Sequence, residues 1–227
     1  MRHPCYLVLV AVLLTACAET QTKRAAFPDM YSDQQPKSIV VVPAINMTTA
    51  ADAGDLLNVT ITQPFSDHGY YVMPMPIVQD IFQKEGILVG EQVLQIPPSV
   101  FRDNFGADAV LFLTIKEWDK NYVVLAANVT VAIEYRLVST QTGNTLWAYD
   151  EQVVVDTTGN SGFILADIIS TALTTAMTDY VPVAYQVHNT ALTAMPVGGY
   201  HPRHGLDGDA KAVLTSKNTL ESPAMDN

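Results

Sequence analysis

The sequence predicts a domain of the α/β class, one compact unit whose mixed sheet contains a long antiparallel strand pair flanked by helices. Three observations predict it. Ser38 to Pro43 (SIVVVP) is an unbroken β-branched run, the mark of a strand covered on both faces. From Val123 to Leu137 every odd position is apolar, while the even positions from 128 to 136 read Asn, Thr, Ala, Glu and Arg; one face of a long strand is therefore packed and the other largely wet. Between these strands lie segments opened by proline and closed by glycine, the punctuation of short helices.

The elements follow in order. A helix is expected from Asp52, its candidate N-cap, to His68, with a kink or break at Pro64 because proline has no N–H to give the helix. Gly69 ends it, and Tyr70 to Met73 (YYVM) is a second strand. Pro76 opens a helix that runs through Glu85 to Gly86, and Pro98 and Gly106 bracket another. Ala109 to Trp118 (AVLFLTIKEW) is the third strand. After the alternating strand, Thr142-Gly143-Asn144 makes a turn and Thr145 to Thr157 returns as the partner. The helix expected from Phe163 to about Thr178 has an apolar stripe for the core and an opposite stripe of Asp167 followed only by Ser and Thr. A solvated face more often carries Lys and Glu, which favour helix more than Thr does. Ser170, Thr171, Thr174 and Thr175 are therefore candidate interface residues, the plain alternative being an exposed face in a threonine-rich chain.

The N-terminus carries an address. Arg2 and His3 precede an apolar run, Tyr6 to Leu14 (YLVLVAVLL), roughly half the ~20 residues a membrane-spanning helix needs. Leu14-Thr15-Ala16-Cys17 then resembles the bacterial lipobox, in which cleavage precedes the cysteine and the cysteine is lipidated. An ordinary signal peptide that happens to end near a cysteine is the alternative. The expected organisation is a signal peptide over 1–16, lipidated Cys17 and a flexible tether over 17–36, an α/β domain over 37–206 and a disordered tail over 207–227. Diacylglyceryl and amide-linked chains on one cysteine give stable anchoring where a single acyl chain does not. Ala18 in place of aspartate favours the outer membrane, by the retention rule of enteric bacteria. As a random coil of about 19 residues, the tether would span roughly 25 Å.

Charge and cysteine content exclude several classes. The chain carries a formal net charge of −11, and losing residues 1–16 removes Arg2 and no acid, leaving −12. Such a surface repels phosphate backbones, so nucleic acid is not an expected partner. Cys5 leaves with the signal peptide and Cys17 carries lipid. Disulfides, thiolate metal sites and cysteine nucleophiles then have no residue to use. Three Asn-X-Thr triplets, at Asn46, Asn58 and Asn128, read as chance behind a lipobox.

Local motifs for catalysis are missing: the chain has no G-x-x-x-x-G-K-[ST], G-x-S-x-G, H-E-x-x-H or G-x-G-x-x-G. Ser161 in Thr158–Gly162 reads as a loop or cap residue before it reads as a nucleophile. Glu117 and Asp119 share a face at the end of the third strand; paired acids can cleave glycosides, but they more often mark where a strand meets water. His201 and His204, with Asp207 and Asp209 nearby, offer imidazoles and carboxylates for Zn²⁺ or Cu²⁺, yet they sit in a glycine-rich loop with nothing to fix their geometry. The blander alternative has YHPRHG packing back onto the domain.

The order SIVVVPAIN, QPFSDHGYYVMP, IPPSVFRDNFGADAVLFLTI, YRLVSTQTGNTLW and YHPRHG resembles a family of bacterial lipoproteins of unknown function that includes a neisserial surface antigen. The similarity runs to about residue 205. More loosely, the first strand, GADAVLFLTI and a strand pair joined by Thr-Gly resemble the TolB N-terminal domain and the curli-secretion channel lipoproteins. These resemblances imply a compact α/β domain and a role in envelope assembly or transport, without catalytic residues. The expected protein is an outer-membrane-anchored, periplasm-facing binding or assembly module with no cofactor, contacting the membrane through its lipid and other envelope lipoproteins or itself. A periplasmic hydrolase and a carrier of a small ligand or metal are the alternatives.

Overall fold

The computed structural model describes residues 21–32, 35–123, 126–156 and 180–213, with backbone alone over 119–123, 126–128 and 155–156. Six strands form one sheet. They are β1 (Ser38–Val41), β2 (Ile45–Asn46), β3 (Tyr71–Val72), β4 (Ala109–Val123), β5 (Ala126–Ser139) and β6 (Thr145–Asp156), in the order β3-β1-β4-β5-β6 with β2 also alongside β4. β1 pairs parallel with both β3 and β4, and β4, β5 and β6 are antiparallel. The expected mixed α/β sheet is the one found.

The helices are α1 (Lys23–Ala26), α2 (Ala53–Thr60), α3 (Thr62–Asp67), α4 (Met75–Lys84), α5 (Gly90–Val93), α6 (Pro98–Phe105) and α7 (Val181–Ala194). The break between α2 and α3 falls at Ile61, in the turn before Pro64, as a missing N–H requires. Asp52 stands at the N-cap position of α2 but makes no side-chain cap bond. Gly86 and Gly106 follow α4 and α6 in left-handed conformation, the stop that their positions in sequence foretell.

The core has two parts because the sheet has two covered faces. On one face Ile39, Val41, Leu111, Leu113, Ile133 and Tyr135 pack beneath α2, α3 and α7. On the other, Val40, Val42, Val110 and Phe112 meet Val78 and Phe82 of α4 and Phe101 of α6. β1 is thus buried on both sides, as its continuous apolar run demands. β5 is buried at odd positions and half-wet at 130, 132, 134 and 136. On this wetter face Lys116 Nζ pairs with Glu134 at 3.0 Å and Asp150 at 2.6 Å, while the Arg136 guanidinium lies 4.7 Å over the Phe112 ring.

Two strand limits differ from the sequence reading. β4 continues to Val123, and β5 begins at Ala126. An alternation of period two does not by itself mark where one strand ends and the next begins, and Val123 belongs to the first strand of the pair. The other difference is a bulge. Ile115 pairs with Ile133 and Glu117 with Ala132, leaving Lys116 as the extra residue. The bulge shifts the pleat by one, which turns Trp118 into the main core and leaves Lys116 and Glu117 on the wet side.

Helix α7 was not anticipated from the sequence, although Pro182 marks its first turn and Pro196 lies just beyond its end. It brings His188 into the core with no exposure. Thr60 gives its single hydroxyl proton to the Leu56 carbonyl at 2.8 Å, so its oxygen accepts from His188 Nε2–H at 3.2 Å. The neutral ring then accepts at Nδ1 from the Tyr135 hydroxyl at 2.9 Å. This chain joins α2, α7 and β5. Burial holds the His188 imidazole down at about 4, from an ordinary 6.5.

A group lowered in this way binds protons in the unfolded chain first. Its contribution to stability is whole above pH 6.5 and is lost as pH falls toward 4. We expect unfolding by denaturant to show a loss of about 3 kcal/mol between pH 7 and pH 4 from this residue. His68, also lowered by burial, adds to it in the same direction. A His188→Leu variant should show a visibly flatter pH profile, and an unchanged slope would contradict the assignment.

Candidate functional site

Among the described residues, those singled out in the sequence do not come together in one cluster. Glu117 sits on the wet strand face, where its Oε2 accepts from Gln152 Nε2 at 2.7 Å. Asp119 is placed on the same face by its pairing with Thr130, and its side chain lies outside the described residues. Cys17, Ser161, Ser170, Thr171, Thr174 and Thr175 also lie outside them. Among the described residues no three His, Cys, Asp or Glu side chains gather as metal ligands. His201 and His204 are separated in role. His201 Nδ1 accepts from Arg203 N at 3.1 Å and its ring stands 6.2 Å from that of His68, whereas His204 is exposed.

The YHPRHG loop packs back onto the domain. Tyr200 N donates to Gly69 O at 3.0 Å, and Gly198 N donates to His68 O at 2.9 Å. Gly69 is required there: its φ is +94°, and a Cβ would stand 2.5 Å from the His201 backbone nitrogen. Tyr70 closes the contact by donating its hydroxyl to Pro196 O at 2.7 Å.

Around this loop the two ends of the described domain are clamped together, so residues 21–32 and 207–213, expected in the tether and the tail, take part in the fold. Thr22 and Lys211 form an antiparallel bridge; Lys23 N donates to Ala210 O at 2.8 Å, Arg24 N to Gly208 O at 2.9 Å and Ala212 N to Gln21 O at 2.8 Å. Phe27 and Met30 are buried in the main core. Three apolar residues, Phe27, Met30 and Tyr31, are enough to dock a short polar segment once the backbone has a partner. Gly208 allows the approach, since a Cβ there would meet the Arg24 guanidinium at 2.6 Å.

At the centre of the clamp is Lys23, only 7 % exposed. Its ammonium donates to Met195 O at 2.7 Å and faces Asp207 Oδ2 at 3.9 Å. That same carboxylate oxygen accepts from Val197 N at 3.0 Å. Met195 O also accepts from His68 Nε2 at 3.1 Å. Burial lowers the Lys23 pKa, and the Asp207 charge opposes that shift. Tyr31 is pushed well up, by burial first and then by the Asp207 carboxylate that its hydroxyl faces.

One crevice lies elsewhere, at the carboxyl end of β1. It has two adjoining lobes, of about 160 and 240 Å³, that share Pro43, Asp55, Asn58 and Leu88. Val41, Val78 and Phe82 contribute to the first lobe, and Asn46, Gly90 and Glu91 to the second. Sequence reasoning missed both the clamp and the crevice. The buried Lys23 and Asp207 are 184 residues apart, and only Phe27 and Met30 in an otherwise polar stretch hinted that the segment docks.

The described residues form a single α/β domain whose two ends are clamped together. Comparison with known proteins names the family: the chain belongs to the putative lipoprotein family described as GNA1162-like, whose model matches residues 29–202. A lipoprotein of Neisseria meningitidis, NMB1124/NMB1162, is 27 % identical over 188 residues, covering 83 % of this chain and 87 % of the relative. The crystal structure of lipoprotein GNA1162 from the same species aligns with a TM-score of 0.52 and 29 % identity, over 61 % of this chain and 96 % of that one. The PelC dodecamer from Paraburkholderia phytofirmans is more distant, with a TM-score of 0.41 and 16 % identity over 69 % and 86 % of the two chains.

The clamp makes a quantitative expectation. Removing one member of a buried ion pair leaves the other charge uncompensated, so Asp207→Ala should cost about 3 kcal/mol in unfolding free energy. Replacing both, as Lys23→Met with Asp207→Leu, should recover most of that loss because no lone charge stays buried. A single variant within ~0.5 kcal/mol of the parent, the range of an ordinary surface change, would show that the pair does not hold the ends.

Proposed function

We propose that this lipoprotein is anchored to the outer membrane through Cys17, faces the periplasm and serves without catalysis as a binding or assembly module of an envelope transport or secretion complex. The observation that carries this reading is the placement of the clamp directly behind the lipobox. The docked segment begins at Gln21, and four residues of chain from Cys17 reach at most roughly 14 Å. A lipid on Cys17 thus keeps the domain against the bilayer rather than at the ~25 Å of a longer free tether. Such a short leash suits a module that presents fixed surfaces close to a membrane. Family membership supports the lipoprotein assignment. The TolB-like and curli-channel resemblance supports the assembly role. Among the described residues no helix is long and apolar enough to cross a membrane, so these residues offer no helical anchor in place of the lipid.

The Ser170, Thr171, Thr174 and Thr175 face belongs to this proposal as the surface that meets a second copy or another envelope lipoprotein. Small hydroxyl side chains let two backbones approach closely.

The test is made in cells. Mass spectrometry of the N-terminal peptide should show acyl chains on Cys17. Cys17→Ala should leave the membrane fraction, and Ala18→Asp should move the protein to the inner membrane in an enteric host. Photocrosslinkers at positions 171 and 174 should capture a second copy or another lipoprotein. An unmodified N-terminus in protein that washes out of membranes contradicts the anchoring; monomer alone after crosslinking contradicts the interface.

A further inference from the structure

A lipid on Cys17 does not fix which side of the domain meets the bilayer, but the strip on which the two chain ends pair has the position and the chemistry for it. The strip is made of residues 21–26 and 203–213. Ala212 N donates to Gln21 O at 2.8 Å, Lys23 N to Ala210 O at 2.8 Å and Arg24 N to Gly208 O at 2.9 Å. Cys17 stands four residues ahead of Gln21, so the strip begins within roughly 14 Å of an acyl chain on that cysteine.

Its charge runs against that of the whole. The chain carries −11, or −12 without residues 1–16, yet in the strip Lys23, Arg24, Arg203 and Lys211 outnumber Asp207 and Asp209. Counting Asp29 of the following turn still leaves it positive. Lys23 and Asp207 are buried against each other, so the exposed charges are Arg24, Arg203 and Lys211 with Asp209. Arg203 and Lys211 enter none of the ion pairs among the described residues. Anionic headgroups attract such cations within a Debye length of about 8 Å, while the acidic remainder of the domain is repelled.

Apolar side chains stand among these cations. Leu206 is 75 % exposed, more than any other large apolar residue described, and Val213, beside the paired Ala212, is 46 % exposed. Leu206 is held there. Its N–H donates to Arg203 O at 3.0 Å, and the carbonyl of the preceding Gly205, left-handed at φ +72°, accepts from the Arg24 guanidinium at 3.2 Å. A braced turn that keeps a leucine in water next to cations has the composition of a membrane-interface contact. The apolar side chain enters the boundary between headgroups and acyl chains, and the cations stay at the phosphates.

We propose that this strip is the face on which the domain rests against the bilayer, with Leu206 and Val213 entering the headgroup boundary and Arg24, Arg203 and Lys211 meeting anionic phosphates. The proposal rests on anchoring at Cys17 and adds to it the orientation of the domain.

Cys17 is the one thiol of the chain from residue 17 onward, so the mature protein can be coupled there to a maleimide lipid. It is then held on vesicles of phosphatidylethanolamine and phosphatidylglycerol whether or not cells acylate it. A benzoylphenylalanine photocrosslinker at position 206 should form phospholipid adducts, read by mass. The control is the same probe at position 88, where Leu88 is 72 % exposed but shares its lobe of the crevice with Asp55 and Glu91. The lipid yield at 206 should exceed that at 88 about fivefold or more, and Arg203→Gln should lower the ratio about fivefold, the factor that one cation near an anionic surface supports. Equal lipid yields at 206 and 88, or a ratio unmoved by Arg203→Gln, overturns the proposal. Protein adducts at 206 in place of lipid also overturn it and assign the strip to a partner chain. An unmodified Cys17 in cells contradicts the anchoring, whereas even lipid yields on the coupled chain contradict the orientation.

Discussion

An ammonium removed from water must find anions and carbonyls, and Lys23 finds them on segments remote in sequence, at Asp207 and Met195. Much of the described architecture around the chain ends follows from that requirement. The Met195–Val197 stretch has to leave α7 with its carbonyl turned to the lysine, and the Asp207 carboxylate has to hold the Val197 amide. His68 and Tyr70, at the end of α3 and the start of β3, bind the same stretch from the other side. One buried charge therefore ties α1 to the stretch around Asp207 and to the parallel edge of the sheet. A buried pair of this kind contributes little net stability compared with an apolar filling, but it admits only one arrangement of the ends.

The sheet was legible from sequence wherever one periodicity governed a segment. SIVVVP and the odd-position alternation of residues 129–137 report burial directly, because each side chain's face follows from its parity. Legibility failed where parity changes. The bulge at Lys116 shifts the phase, and β4 gives way to β5 past Val123, within runs that stay largely apolar or β-prone and carry no glycine or proline to mark either point. Helix α7 was missed for a different reason: its buried stripe includes His188, a residue that reads as polar until Tyr135 and Thr60 are brought beside it. The clamp rests on contacts between chain ends, and the crevice on elements that meet only in the folded sheet. Composition in a local window holds no record of either.

The two faces of the domain divide its tasks. The main-core face is fully covered by helices and the docked N-terminal segment, and its polar chain through His188 joins α2, α7 and β5. Among the described residues the opposite face is covered toward the parallel edge and carries charge across β4, β5 and β6, where Lys116 pairs with Glu134 and Asp150. Among its described residues the domain thus has a packed two-sided core, a polar stretch of sheet across β4 to β6 and a crevice at the strand ends. Held close to a bilayer by lipid on Cys17, as we propose, these surfaces would stay in a defined zone next to the membrane.

Amide hydrogen exchange on the mature chain tests the central claim most directly. Protection at Arg24, Phe27 and Ala212, whose N–H groups bond Gly208 O, Lys23 O and Gln21 O, should approach that of β5 amides such as Tyr135. Exchange of those three amides at the rate of an unstructured peptide, with the sheet still protected, would mean that the ends are free and that lipid at the N-terminus holds the domain only on a loose leash.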